Sequence, residues 1–259
     1  MIDSTANISI DSKSNSLQLE INGLKKSFGN NEVLKNIQLK LFKGENLIVL
    51  GKSGTGKSVL IKCIVGLIKA DYGNIKVFNK ELSSLNRNDL NEIRKKIGFL
   101  FQSAALYDSM SVYENLVFPL KRIYRNLPDA ELLVRAEKVL TDVGLLEAIY
   151  KMPSELSGGM RKRIGLARTL IINPEIMLYD EPTTGLDPVT SREISQLINK
   201  AKVEYKTSSI IITHDMDCAE LTGDRIVMIK EGEIYIEGTY SELNQSNDSF
   251  VKSFFISKN

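Results

Sequence analysis

The amino-acid sequence predicts an α/β protein built on a mostly parallel sheet, with an antiparallel β subdomain and a helical insertion subdomain. Three observations lead to this fold class: apolar and polar residues alternate near the N-terminus, short continuous apolar runs follow at intervals, and the middle third of the chain lacks such runs. Alternation is typical of half-buried antiparallel strands, and continuous apolar runs are typical of strands covered on both faces. The chain has 259 residues, of which 42% are hydrophobic, and is long enough to bury one large core.

Two stretches near the N-terminus predict the antiparallel subdomain. In "LQLEING" apolar residues alternate with polar ones from Leu17 to Ile21, and in "NIQLKL" they do so from Ile37 to Leu41. Later stretches are short apolar runs of the buried type, which we expect to form the parallel sheet. They are ENLIVLG at 45–51, followed by a predicted helix from Lys57 to Ile68, then IGFLF at 97–101, EIMLYD at 175–180, SSIIIT at 208–213 and RIVMIK at 225–230.

The middle of the chain predicts helices only. The stretch "PDAELLVRAEKVLTDVG" begins like a helix at Pro128 and Asp129 and keeps apolar residues at helical spacing up to Gly144. We therefore expect a helical insertion in an α/β core. The predicted division is a polar tail at 1–16, one domain at 17–245 with its core at 17–101 and 158–245 and its helical subdomain at about 102–157, and a C-terminal extension at 246–259.

Composition argues against several function classes. Lys and Arg number 34 against 32 Asp and Glu, and a formal net charge of +2 gives no reason to expect nucleic acid or an anionic membrane surface as a partner. Cys63 and Cys218 show no metal or redox spacing, which favours a reduced, cytosolic setting. The N-terminal stretch lacks the pattern of a signal peptide. The apolar runs fall far short of the ~20 residues needed to cross a bilayer, so we expect a partner to supply any membrane span.

The stretch "GKSGTGKS" fits the phosphate-loop pattern G-x-x-x-x-G-K-[ST] and lies between a predicted strand and a predicted helix. Its glycines let backbone N–H groups point at phosphate oxygens, and the helix start adds the positive end of its dipole. Lys57 should reach the β and γ phosphates, and the Ser58 hydroxyl should ligate Mg²⁺. The alternative, a glycine-rich turn with an accidental Lys-Ser pair, has a chance frequency on the order of one per cent. The nucleotide-binding residues expected here are Gly51, Lys52, Ser53, Gly54, Thr55, Gly56, Lys57, Ser58 and Val59.

Two carboxylates, Asp180 and Glu181, stand where the apolar strand "IMLYD" ends. Ligands of open parallel sheets bind beyond the carboxyl ends of the strands, so this pair can face the same phosphates as Lys57. Asp180 is then expected to hold Mg²⁺, and Glu181 can take a proton from an attacking water. The alternative is a solvated acidic turn before Pro182.

The stretch "LSGGM" at 156–160 opens an amphipathic helix and forms a second candidate anion site. Ser157, Gly158 and Gly159 leave backbone N–H groups bare at the helix N-terminus. A plain helix cap with a flexible entry is the alternative. One nucleotide does not need two such cradles in one chain.

Taken together, these motifs resemble those of the ATP-binding cassette ATPases, in order and approximate spacing, over residues from about 17 to 245. The resemblance implies a P-loop NTPase core that binds ATP and Mg²⁺. It also implies a head-to-tail homodimer in which the phosphate loop of one subunit and the LSGGM segment of the other enclose each ATP. The second cradle would then serve the partner's nucleotide.

The resemblance also implies roles for single residues. His214, the only histidine of the chain, would reach the γ phosphate and orient the attacking water, with Glu181 as the catalytic carboxylate. Gln102 would contribute to positioning Mg²⁺ and water, Phe28 would stack on adenine, and Asp187 would lie at the dimer interface. The alternatives are a structural histidine and a core phenylalanine.

The segment "ALYDSMSVYENLVFPL", together with "LSGGM" and "DEPTTGLDP", looks like the ATPases of Mla-type and Mce-associated lipid transporters. This likeness implies an integral-membrane permease and an MCE-type lipid-binding partner, at the cytoplasmic side of the bacterial inner membrane. Met160 replaces the commoner Gln, so contacts of that Gln cannot be carried over. The alternatives are a small-solute importer ATPase, a soluble cassette ATPase acting in DNA repair or on ribosomes, and a non-hydrolysing nucleotide-gated scaffold.

Overall fold

The computed structural model describes residues 16–124 and 126–255. The predicted tail up to residue 15 and the end of the predicted C-terminal extension, residues 256–259, lie outside this range. The strands are β1 (Leu17–Phe28), β2 (Asn31–Phe42), β3 (Asn46–Gly51), β4 (Tyr72–Val77), β5 (Lys80–Glu81), β6 (Ile97–Leu100), β7 (Ile176–Asp180), β8 (Ser208–Ile212), β9 (Arg225–Lys230) and β10 (Glu233–Gly238). The helices are α1 (Lys57–Ile64), α2 (Arg87–Arg94), α3 (Val112–Ile123), α4 (Asp129–Asp142), α5 (Gly158–Leu170), α6 (Pro188–Tyr205), α7 (Met216–Thr222), α8 (Tyr240–Asn244) and α9 (Ser249–Phe255). Short 3₁₀ helices lie at Leu82–Ser84, Leu146–Ala148 and Pro153–Glu155.

Two sheets form the frame of the molecule. One has four antiparallel strands in the order β2-β1-β4-β5, and the other has six in the order β10-β9-β3-β8-β7-β6. The larger sheet is parallel except for its edge pair β9 and β10. Its central strands are buried throughout, which agrees with their continuous apolar sequences. The predicted fold class is therefore confirmed.

Several predicted boundaries need correction. The helix predicted from Lys57 to Ile68 ends at Ile64. Gly66 adopts a left-handed conformation with φ of 68°, and the Leu67 N–H turns back to donate to the Lys62 carbonyl at 2.9 Å, which closes the helix. The first strand extends to Phe28, and the strand predicted at 97–101 ends at Leu100.

Three strands, β4, β5 and β10, are not among the predicted ones. β4 (Tyr72–Val77) has polar residues among few apolar ones, and its pairing with β1 is what makes it a strand. β10 (Glu233–Gly238) alternates half-buried and exposed residues at the sheet edge and pairs with β9. A single-sequence pattern is weakest for short edge strands, because tertiary pairing decides their conformation.

The middle of the chain is helical where the structure describes it. The predicted start of α4 at Asp129 is confirmed, and Gly144 follows that helix with φ of 69°. A capping box formed by Ser111 and Glu114 fixes the start of α3. The domain boundaries themselves stay a prediction. None of the helices in the described residues has the length and apolar character to cross a membrane.

Helix α5 connects the helical part to the large sheet, since it contacts α3, α4, α6 and β6. Gly165 on this helix faces Ala104, and a Cβ added at Gly165 would lie 2.8 Å from the Ala104 Cβ. Three residues further on, the Arg168 guanidinium donates to the Ala105 carbonyl at 2.6 Å and to the Ala104 carbonyl at 3.3 Å. Both alanines have positive φ, so α5 holds a strained turn directly after Gln102.

Gly165→Ala should destabilise the fold. Overpacking costs about 1–3 kcal/mol and the better helix propensity of alanine recovers about 1 kcal/mol, so we expect a net loss of up to about 2 kcal/mol in the free energy of unfolding. Urea denaturation followed by circular dichroism measures it. Gly158→Ala on the same helix is the control, because its added Cβ would meet no atom closer than 3.9 Å. Equal stability of both variants would contradict this account.

Candidate nucleotide-binding and hydrolysis site

The phosphate-loop motif forms the turn between β3 and α1. Gly54 and Gly56 have φ of 81° and 94°, in the left-handed region that favours glycine. Gly56 caps α1, and a Cβ placed there would come within 2.9 Å of the Val33 carbonyl oxygen and 2.7 Å of Leu34 Cδ2. Only glycine fits this position, and the loop keeps its backbone N–H groups at the start of a helix, where anions bind.

The Lys57 side chain lies within this loop. Its Nζ donates to the Gly51 carbonyl at 2.7 Å and to the Lys52 carbonyl at 3.1 Å, and the residue is 7% exposed. Burial lowers the pKa of Lys57, while the charges of Glu181 and Asp180 act in the opposite direction. The loop therefore holds an ammonium that interacts with the charges of two carboxylates.

Two of the three residues predicted to hold or position Mg²⁺, Ser58 and Asp180, meet at the start of α1 and the end of β7, and the third, Gln102, lines the same cleft as Ser58. The Ser58 hydroxyl donates to Asp180 Oδ1 at 2.9 Å, although the two residues lie 122 positions apart in the chain. Burial raises the pKa of Asp180, and the hydrogen bond from Ser58 opposes that shift. A hydroxyl and a carboxylate are hard oxygen ligands, and Mg²⁺ commonly takes few protein ligands and fills its remaining positions with water and phosphate oxygens. This donor set fits the ion.

Glu181 and His214 meet at the ends of neighbouring strands. The His214 Nδ1 lies 2.7 Å from Glu181 Oε2, and the Thr184 hydroxyl donates to the same oxygen at 3.0 Å. The His214 side chain is 63% exposed, which argues against a structural core histidine. Glu181 has φ of 52°, so a non-glycine residue is held in a left-handed conformation at the site.

A cleft of about 620 Å³ collects most of the predicted residues. Gln102 lines it next to the phosphate loop, and Phe28, which is 49% exposed and therefore not a core residue, lies at its wall with Lys26 Nζ 5.3 Å from the ring centroid. Of the predicted loop residues, Thr55 is absent from the lining, and its hydroxyl donates to the Lys52 carbonyl at 2.9 Å. The lining residues are Phe28, Val33, Gly51, Lys52, Ser53, Gly54, Gly56, Lys57, Ser58, Val59, Gln102, Glu181, Thr184, His214 and Phe254.

The serine-glycine motif lies in a different cleft of about 330 Å³. Ser157 accepts a hydrogen bond from the Met160 N–H at 3.2 Å as the cap of α5, and Asp187 accepts one from the Thr190 N–H at 3.0 Å as the cap of α6. This second cleft has no residue in common with the first. Its lining residues are Ser157, Gly158, Gly159, Met160, Arg163, Gly185, Leu186, Asp187 and Thr190.

Sequence reasoning missed several side chains around the site. Thr184 could have been found, since it follows Glu181 by three residues in the same turn. Val33 and Phe254 come from a distant strand and from the C-terminal helix α9, and no local pattern indicates that they line the cleft. Lys162, whose Nζ donates to the Glu181 carbonyl at 3.1 Å, is also reached only through the tertiary fold.

The fold and the site define an ATPase of the phosphate-loop class. The chain belongs to the ABC transporter family, whose sequence profile matches residues 34–184. "Probable ribonucleotide transport ATP-binding protein mkl" of Mycobacterium tuberculosis is 37% identical over 238 residues, which cover 92% of this chain and 66% of that relative. "Methionine import ATP-binding protein MetN" of Clostridium acetobutylicum is 37% identical over 234 residues, which cover 90% of this chain and 72% of that relative.

Solved structures agree with this assignment. A dimeric post-hydrolysis ATP-binding cassette, MJ0796, bound to ADP and Pi, has a TM-score of 0.79 and 33% identity over 86% of this chain and 98% of that one. The protein cbiO1 of Clostridium perfringens, described as part of the ABC transporter complex cbiONQ, has a TM-score of 0.80 and 28% identity over 94% of this chain and 99% of that one. At the level of the family, the predicted enzyme class and the predicted ATP and Mg²⁺ are confirmed.

Phe28→Ala should weaken ATP binding. Stacking of a base on an aromatic ring contributes about 1–3 kcal/mol, so we expect Kd for ATP to rise by roughly 5-fold to 150-fold. Phe28→Tyr should keep the wild-type affinity. Isothermal titration calorimetry with Mg²⁺ and a non-hydrolysable ATP analogue measures both, and Tyr72→Ala is the control because Tyr72 is an exposed aromatic outside the cleft. Unchanged ATP affinity in Phe28→Ala would show that Phe28 does not stack on adenine.

Proposed function

We propose that this chain is the ATP-hydrolysing subunit of an ABC transporter and works as a head-to-tail homodimer. The observation that carries the proposal is that one chain presents two clefts without a common residue, one with the phosphate loop and the acid-base pair, the other with the serine-glycine helix start. A helix N-terminus with bare N–H groups binds phosphate, and the second cleft holds no carboxylate-histidine pair of its own. Two copies would complete each other's sites.

The chain's own groups account for nucleotide binding. The phosphate loop and Lys57 bind the β and γ phosphates of the substrate, and Ser157 with Gly158 from the second copy face the γ phosphate. Ser58 and Asp180 would hold Mg²⁺, which would neutralise phosphate charge when bound. The wall formed by Phe28 receives the adenine ring.

Hydrolysis then depends on positioning a water at the γ phosphate. Glu181 takes the proton of the attacking water, and His214 orients that water and holds the Glu181 carboxylate through the 2.7 Å contact. Gln102, which also lines the cleft, would help to position water and metal. In phosphoryl transfer, positioning and charge stabilisation make up most of the catalysis. This suits a site in which hydrogen bonds hold the side chains of Lys57, Ser58 and Glu181.

Glu181→Gln should strongly reduce turnover and trap a dimer with ATP bound. The amide keeps the size of the side chain but cannot accept the proton, so kcat should fall by roughly 10²-fold to 10⁴-fold while Kd stays near the wild-type value. Phosphate release gives kcat, and size-exclusion chromatography with light scattering gives the ATP-dependent dimer. Glu137→Gln, an exposed position on α4, is the control. Undiminished turnover in Glu181→Gln would count against the enzymatic assignment.

A membrane permease is the proposed partner, at the cytoplasmic side of the bacterial inner membrane. An apolar cleft of about 580 Å³ supports a docking site for it beside the helical subdomain. Gln102 lines the nucleotide cleft and its neighbour Phe101 lines this one, so adjacent residues touch both. The lining residues are Ile97, Gly98, Phe99, Phe101, Ala105, Tyr107, Phe118, Pro119, Arg122, Ile123, Arg168, Thr169 and Ile172.

The proposed cargo is phospholipid or another lipid moved between bacterial membranes, with an MCE-type lipid-binding partner. Support comes from the resemblance of the 105–120 segment and of "LSGGM" to the Mla-type and Mce-associated ATPases. The second candidate is import of a small solute, which the similarity to a methionine import ATP-binding protein favours. The similarity to mkl, named for ribonucleotide transport, adds a further solute to that alternative.

Purification of the chain with the permease encoded beside its gene distinguishes the two candidates. We expect the complex to retain phospholipid, detectable by mass spectrometry of an organic extract. In lipid nanodiscs it should move a fluorescent phospholipid only with ATP, and the Glu181→Gln complex is the hydrolysis control. A complex without retained phospholipid whose ATPase rate rises with methionine or a ribonucleotide would assign the chain to solute transport instead.

A further inference from the structure

Lys162 lies on α5 and is almost fully enclosed, with 6% of its surface exposed. Its Nζ donates to the backbone carbonyl of Glu181 at 3.1 Å. Among the residues that the structure describes, the Lys162 ammonium donates no other hydrogen bond. Lys162 also forms no ion pair within 4.0 Å with any of these residues. Burial lowers the pKa of Lys162, while the charges of Glu181 and then Asp180 favour the ammonium.

A buried ammonium is unfavourable for folding, and an apolar side chain of similar size would often be more stable. Packing therefore gives no reason for a lysine here. The reason for a lysine lies in the acceptor of its hydrogen bond. That acceptor is the backbone carbonyl of Glu181, and the carboxylate of Glu181 contacts His214.

The Glu181 backbone is fixed from both sides. Its N–H donates to the Ile212 carbonyl at 2.9 Å, and its carbonyl accepts from Lys162 and, at 3.3 Å, from the Thr184 N–H. The φ of 52° is unfavourable for a residue with a side chain, so neighbouring contacts must maintain it. A change in φ of Glu181 would move its side chain relative to β7 and so displace the carboxylate from His214.

We propose that Lys162 is a positioning residue for hydrolysis, which holds the Glu181 peptide so that its carboxylate faces the attacking water. The inference rests on Glu181 being the catalytic carboxylate, as proposed above. Lys162 lies on the helix that begins beside Ser157, within about 8 Å along the axis. One rigid helix thus joins the cleft that faces the partner's nucleotide to the carboxylate of the chain's own site.

The test compares Lys162→Met with Lys162→Gln. Methionine keeps the apolar stem and removes the donor, so kcat should fall by about 10-fold to 100-fold. Kd for ATP should stay near the wild-type value, and the melting temperature should stay at or above its wild-type value. The glutamine amide can still donate to the carbonyl and should recover at least several-fold of that loss. Lys121→Met, at an exposed lysine of the helical part, is the control.

Combination with Glu181→Gln separates positioning from scaffolding. Lys162→Met should cause no further loss of turnover in the Glu181→Gln background, because the group it positions is already inactive. The inference is overturned if Lys162→Met turns over within about twofold of wild type, if melting temperature and ATP affinity fall together with kcat, or if the losses multiply. If Glu181→Gln itself keeps full turnover, the proposed catalytic site fails before this inference does.

Discussion

The parallel pairing of β3, β8 and β7 is the constraint on which the site depends. Val49 and Asp180 both lie opposite Ile212 in the register, so the carboxyl ends of three strands meet at one edge of the sheet. The phosphate loop, the acidic pair and the segment with His214 each follow one of these strands. Residues more than 100 positions apart are thereby brought within hydrogen-bond distance, as Ser58 and Asp180 are. A slip in register would separate all of them together.

Charge burial is the second feature that organises the site. Two lysines, Lys57 and Lys162, approach the same pair of carboxylates, and burial lowers the pKa of both. Burial also raises the pKa of Asp180, which is one of these two carboxylates. Such groups interact strongly because little water screens them. The site therefore holds charges of both signs in fixed positions before any ligand is considered, which is the arrangement that stabilises a phosphoryl-transfer transition state.

The sequence could predict those parts of the site in which function demands a fixed residue at a fixed spacing. Gly56 is an example, because the turn at this position excludes any Cβ. The strands next to the motifs are also predictable, since full burial gives them continuous apolar sequences. The end of α1 at Ile64 and the strand β4 were missed because a glycine conformation and a cross-strand pairing decide them. The positions of Lys162 and Phe254 at the site could not be predicted either. Each reaches the site through tertiary packing, and no pattern in the neighbouring sequence indicates this.

Helix α5 shows how one element can relate distant parts of the chain. Its cap Ser157 lines the serine-glycine cleft, Lys162 donates to the Glu181 carbonyl, and Arg168 fixes the turn after Gln102. A packed helix moves as a unit, because interiors of native density transmit displacement without absorbing it. In the proposed dimer, a nucleotide bound at the start of this helix would displace the helix. That displacement would act on Glu181 of the opposite site and on the turn after Gln102 beside the apolar cleft. Closure of the dimer would therefore change both the hydrolytic centre and the surface where a permease would dock.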